Sequence, residues 1–211
     1  MRVLFGGRLV DMKGVRTALY AFALAQRELP MTLEIIGDGP LRADLERMAQ
    51  SMGAESSVRF RGHVTHGETL EAMARSHVFL FPSFEGAGMV VPEAMAAGAM
   101  VLALDQGGPG EMVRASGGAT VPAEGSLEAT ASALARVLER AYKNDAARLD
   151  FAERGQEWAR RAATWECKGA ALARIYDLAI DRHPGVLGAV SAGPDSTDAR
   201  EGPSGALRGA A

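Results

Sequence analysis

The sequence predicts an α/β protein in which a parallel sheet carries helices on both faces. Two patterns predict this: short apolar runs alternate with longer stretches of helical period as far as about Val121, and beyond Gly125 only helical period remains. The first run, RVLF, ends at Gly6 and Gly7, and the stripe Val15, Leu19, Phe22, Gln26 and Leu29 then marks a helix face. MTLEII is the second strand and leads through GDGP to a second stripe, Leu41, Leu45, Met48 and Met52. VRF, VFLF, MVLAL and ATV supply four more short strands. Leu127, Ala131, Leu134 and Leu138 open a helical run that continues through Trp158 to Trp165, Leu172, Tyr176 and Ala179. The methionines and aromatic residues on these stripes are read as core packing.

Bulk properties exclude several function classes. The chain has 211 residues and a formal net charge of −3, with its lysines and arginines scattered, so it lacks the basic footprint of a nucleic-acid binder. Cys167 is its only cysteine, which rules out an intrachain disulfide and a cysteine-rich metal site and favours a reducing, cytoplasmic setting. The apolar run Val3 to Phe5 is too short for the core of a signal peptide, and no apolar stretch is long enough to span a membrane. Residues 183–211 are rich in Gly, Ala, Pro and Ser, cannot bury enough surface to offset their ordering entropy, and are expected to form a disordered tail after a domain covering 1–182.

Ligands of open parallel sheets bind beyond the carboxyl ends of the strands, so the loops after the apolar runs are the places to inspect. GGRLVDMKG puts Arg8 and Lys13 beside the first strand, either as two cations for phosphate oxygens or as two solvated surface charges. GDGP resembles part of a dinucleotide fingerprint, but Arg42 stands where its third glycine would fall. It is as well explained by a tight turn in which Asp38 or Gly39 opens the next helix.

The stretch PSFEGAGMVVPEAMAAG carries more information. Pro82 stops a strand, Gly86 and Gly88 free the loop, and Pro92 fits only within the first turn of a helix, which therefore begins near Met89 or Val90. The backbone N–H groups of Gly88, Met89 and Val90 would then lie at a positive helix end, with Glu93 in the first turn or so. Glu93 could serve only the helix dipole, and Glu85 could be a plain loop charge. As a pair, the two acids could also be the acid and nucleophile of a glycoside hydrolase, but that chemistry has no use for two converging cations. A phospho-aspartate receiver would need acids where this chain has Gly6, Gly7 and Arg8. Phosphate recognition with carboxylates for sugar hydroxyls fits better than either.

Taken in order, GGRLVDMKG, IIGDGP, FRGHV, PSFEGAGMVVPEAMAAG and GGPGEMV resemble the C-terminal, donor-binding domain of family-four retaining glycosyltransferases, one Rossmann-like half of a GT-B fold. The resemblance runs from about Val3 to Ile180, including a closing helix in ATWECKGAALARIYDL, and its most specific part is the Glu-x7-Glu element from Glu85 to Glu93. It implies that Arg8 and Lys13 hold the donor diphosphate and stabilise the leaving nucleotide, that Glu85 contacts donor-sugar hydroxyls, and that Glu93 accepts hydrogen bonds from the ribose. It further implies that Gly7, Gly88, Met89 and Val90 approach the donor and that Val64 lies beside the base. No cofactor and no metal are implied, and His63 and His66 are read as loop residues. Met100, where the family usually has proline, and Ala87, where an aromatic is common, depart from the pattern and are expected to be tolerated. The resemblance also implies a nucleoside diphosphate sugar as partner and an acceptor domain supplied by a further domain or chain, without which the chain would be inactive. The rival expectation is a non-catalytic nucleotide-binding or interaction module.

Overall fold

The computed structural model describes residues 1–182. The tail expected from 183 to 211 lies outside the described residues. All six predicted strands form: β1 (Arg2–Gly6), β2 (Thr32–Ile36), β3 (Val58–Gly62), β4 (Val78–Phe81), β5 (Met100–Leu104) and β6 (Ala119–Val121). They make one parallel sheet in the order β3-β2-β1-β4-β5-β6. Neighbours β1 and β4 pair Val3 with Val78 and Leu4 with Phe79, and here the strand order reverses. The sheet therefore has a crevice between the loops that leave β1 and β4.

Helices α1 (Val15–Ala25), α2 (Arg42–Ser51), α3 (His66–Arg75), α4 (Val90–Ala96), α5 (Gly107–Ala115), α6 (Leu127–Lys143) and α7 (Asp145–Ala162) complete the unit Met1–Thr164. Helix α1 packs on α2 and α6, while α4 packs on α3, α5 and α7, so the two groups cover opposite faces. Every residue of β4 and β5 is buried, as central strands covered on both faces must be. Met100 opens β5 with 1% exposure, so the expected tolerance of methionine there has a packing basis. Helix α8 (Trp165–Arg182) belongs to a second unit that begins at Trp165. No helix among the described residues is long and apolar enough to cross a membrane.

Three boundaries differ from expectation. Helix α1 stops at Ala25, and Leu29 sits in the turn before Pro30. Leu41, not Asp38 or Gly39, caps α2. His66 is the first residue of α3 and not a loop residue: the Thr65 hydroxyl accepts the Glu68 N–H while the Glu68 carboxylate accepts the Thr65 N–H, a reciprocal cap that starts the helix there. The Thr65 N–H first, and then the Thr65 hydroxyl, which also donates to the Glu68 carboxylate at 2.7 Å, hold the Glu68 carboxyl below its ordinary pKa.

His77, just before β4, accepts the Arg2 N–H at Nδ1, 2.9 Å away. Burial first, then the charges of Arg2 and Arg148, lower its pKa. The unfolded chain therefore takes up the proton first, so stability present above the ordinary histidine pKa of about 6.5 is lost as pH falls towards the lowered value. Melting temperature should accordingly drop from pH 7 to 5.5, and His77→Gln should flatten that slope. An unchanged slope in the variant would assign the drop to other groups.

Candidate functional site

Four loops meet beyond the carboxyl ends of the strands, and backbone contacts set their spacing. The Gly7 N–H donates to the Ile36 carbonyl at 3.0 Å and the Leu9 N–H to the Asp38 carbonyl at 2.9 Å, so the GDGP turn braces the loop after β1. A Cβ on Gly37 would lie 2.0 Å from the Gly7 oxygen, so the close approach that GDGP permits is to another stretch of backbone. On the other side, the Met12 carbonyl accepts the Phe84 N–H at 2.9 Å and the Ser83 hydroxyl at 3.3 Å. Gly14, at φ 68°, closes this seam, since a Cβ there would lie 1.8 Å from the Pro82 oxygen. Lys13 sits in the 3-10 turn Asp11–Lys13 and is thereby carried onto the loop after β4.

A cavity of about 690 Å³ opens at this place, within the range of small-molecule sites. Of the residues singled out in the sequence, Gly7, Arg8, Lys13, Val64, Val90 and Glu93 line it. Arg8 is exposed and has no ion-pair partner among the described residues. Lys13 is different: its ammonium donates to the Glu85 carboxylate, and the two side chains are only 19% and 13% exposed. It also lies over the Phe81 ring, 5.6 Å from the centroid. Glu85 thus joins the site through Lys13 without lining the cavity.

Helix α4 starts at Val90, as Pro92 requires, and Pro92 occupies its third position. Glu93 follows with a side chain 39% exposed. Gly88 and Met89 precede the helix and do not line the cavity. Gly88 is buried at φ 67°, and Met89 is 50% exposed.

Sequence reasoning missed several lining residues. His66 lines the cavity with Nε2 3.9 Å from Glu93 Oε1, and His63, Thr69 and Phe81 line it too. The capping signal Thr65-x-x-Glu68 was the available clue that a helix begins there and turns His66 towards Glu93. Another cavity, of about 380 Å³, lies at the opposite end of the strands, beside the first residues of β5 and β6, and its wall is largely apolar. Strand polarity and the converging charges favour the Arg8 and Lys13 cavity as the ligand site. Among the described residues, no group of three or more His, Cys, Asp or Glu could hold a metal ion.

Comparison with known proteins agrees with the fold. Residues 2–158 match the model of the glycosyl transferases group 1 family. The chain is 33% identical over 156 residues to a 2-deoxystreptamine glucosyltransferase of Streptomyces kanamyceticus, covering 73% of this chain and 39% of that protein. It is 32% identical over 178 residues to a GDP-mannose-dependent alpha-(1-6)-phosphatidylinositol monomannoside mannosyltransferase of Mycobacterium tuberculosis, covering 79% and 44% respectively. The chain therefore spans less than half the length of either relative. In fold it is similar to the C-terminal domain of a glycosyl transferase group 1 protein of Francisella tularensis, with a TM-score of 0.68 at 19% identity over 78% of this chain and 86% of that one. Together with the doubly wound sheet and its charged crevice, the family match over 2–158 shows that the chain belongs to the glycosyl transferases group 1 family.

Proposed function

We propose that the chain is the nucleotide-sugar-binding part of a retaining glycosyltransferase, which moves a hexosyl group from a nucleoside diphosphate sugar to an acceptor held by a further domain or chain. The observation that carries this is the convergence of Arg8, Lys13 and Glu93 on one cavity at the switch point of the sheet. A diphosphate between Arg8 and Lys13 would have its charge offset as the glycosidic bond breaks and the nucleoside diphosphate leaves, which is the main electrostatic help such a site can give. Glu93, four residues into α4, would accept hydrogen bonds from ribose hydroxyls, with Val64 beside the base. Glu85 would turn its remaining acceptor capacity to hydroxyls of the donor sugar, and the start of α4 at Val90 would approach the phosphates together with Gly7, Gly88 and Met89. Two relatives whose names specify a glucosyltransferase and a GDP-mannose-dependent mannosyltransferase support a hexosyl donor.

The test compares a nucleoside diphosphate with inorganic pyrophosphate. Glu93→Ala should weaken the former by roughly tenfold, the loss of one or two hydrogen bonds to a charged acceptor, and leave the latter unchanged. Equal weakening of both would show that Glu93 acts on the phosphates or on the fold, contrary to its assignment to the ribose.

A further inference from the structure

The motif GGPGE, at the start of α5, has no part in the functions assigned above, yet it underlies the loop that carries Glu85. The Gly108 N–H donates to the Glu85 carbonyl at 3.3 Å. A Cβ on Gly107 would lie 2.3 Å from that same oxygen, and a Cβ on Gly108 would lie 2.2 Å from the Gly86 oxygen and 2.7 Å from that of Ala87. In the other direction, a Cβ on Gly88 would lie 2.6 Å from Cγ of Pro109 and 3.2 Å from Oε1 of Glu85. No side chain larger than hydrogen fits at these glycines without moving backbone or the Pro109 ring, so the two segments fix each other.

We propose that Gly107, Gly108 and Pro109 are positioning residues that hold Glu85 against Lys13, and that this Glu–Lys pair limits how tightly the site holds a diphosphate. Lys13 is fixed from its own side by the Met12 and Gly14 seam, so neither partner swings away freely. Both side chains are largely withdrawn from water, where a pair interacts more strongly than on the surface. A diphosphate must therefore share the Lys13 ammonium with Glu85, while exposed Arg8 offers its charge undivided. The consequence has an unusual sign: neutralising Glu85, a residue of the site itself, strengthens the binding of a nucleoside diphosphate that carries no sugar. If Glu85 serves only the sugar hydroxyls, that affinity does not change.

This inference rests on the donor-site assignment for its nucleotide arm but not for its second arm. In the first, UDP, GDP and ADP are titrated into wild type, Glu85→Gln, Lys13→Ala and the double variant. Glu85→Gln should tighten binding several-fold in the wild-type background, and by at least as much in the Lys13→Ala background, where the carboxylate is left without its cation. No tightening in the wild-type background would overturn the proposal. The second arm needs no nucleotide: the rate at which an amine-reactive ester labels Lys13 is read by peptide mass spectrometry against exposed Lys143 in the same molecule. Glu85→Gln and Gly108→Ala should both raise the Lys13 rate several-fold while Lys143 stays constant. Melting curves identify any variant that fails to fold, and Pro109→Ala, which removes the ring against Gly88 without adding an atom, then replaces Gly108→Ala. A Lys13 rate at the wild-type level in folded Gly108→Ala or Pro109→Ala would overturn the positioning role. If wild type binds none of the three nucleotides, the donor assignment fails, and labelling alone decides whether the GGP turn holds the pair.

Discussion

Lys13→Ala is expected to weaken the binding of a nucleoside diphosphate by roughly a hundredfold, about 3 kcal/mol, the largest effect of any single substitution at the site. Two losses combine. The diphosphate loses a charge-assisted hydrogen bond, and the Glu85 carboxylate, with a side chain only 13% exposed, is left without its cation beside the incoming negative charge. Arg8→Ala should cost about tenfold, because Arg8 is exposed and its removal strands no anion. The order of the two matters more than either value. Titration calorimetry checks it, and an equal or smaller effect for Lys13→Ala would contradict the paired arrangement at Glu85.

Gly14→Ala is expected to destabilise the fold by roughly 3 kcal/mol, from a left-handed conformation that alanine tolerates poorly and from a direct clash. Gly53 provides a control from the same chain. Its φ of 65° nearly equals the 68° of Gly14, but a Cβ on Gly53 meets nothing within 4 Å, whereas one on Gly14 lies 1.8 Å from the Pro82 oxygen. Gly53→Ala should therefore show only the conformational cost, about 1 kcal/mol. The difference between the variants isolates the seam between the loops after β1 and β4. In melting temperature, Gly14→Ala should fall by about 6–12 °C for a chain of this size, and it should lose nucleotide binding as the loops part. Equal melting temperatures for the two variants would mean that the seam gives way without cost.

The sheet was legible because each strand is a short apolar run closed by glycine, proline or a charged residue, and those are local features. RVLF, VFLF and MVLAL needed no tertiary information to be read as strands, and Pro92 fixed the start of α4 to within a residue. Helix ends were harder. The stripe from Val15 continues to Leu29, but the chain turns after Ala25 to reach β2, so packing overrode periodicity. Helix α3 went unread although Thr65 and Glu68 announced it, and His66 was consequently placed in a loop.

Within the site, the charged residues were legible as types, and their partnerships were not. Nothing local in the sequence links Lys13 to Glu85, which are 72 residues apart, or assigns Gly107 and Gly108 to the backbone beneath Glu85. The same holds for GDGP, whose glycines allow the loop after β1 to pass close by. Such contacts exist only once the strand order has brought the loops together.

The most direct test of the donor site is calorimetric titration of the purified protein with UDP, GDP and ADP without added metal, with Arg8→Ala as the control. Saturable binding of at least one of them, weakened about tenfold in the control, is the predicted result. A folded protein that binds none of the three, or binds one equally well without Arg8, would contradict a diphosphate site in the Arg8 and Lys13 cavity.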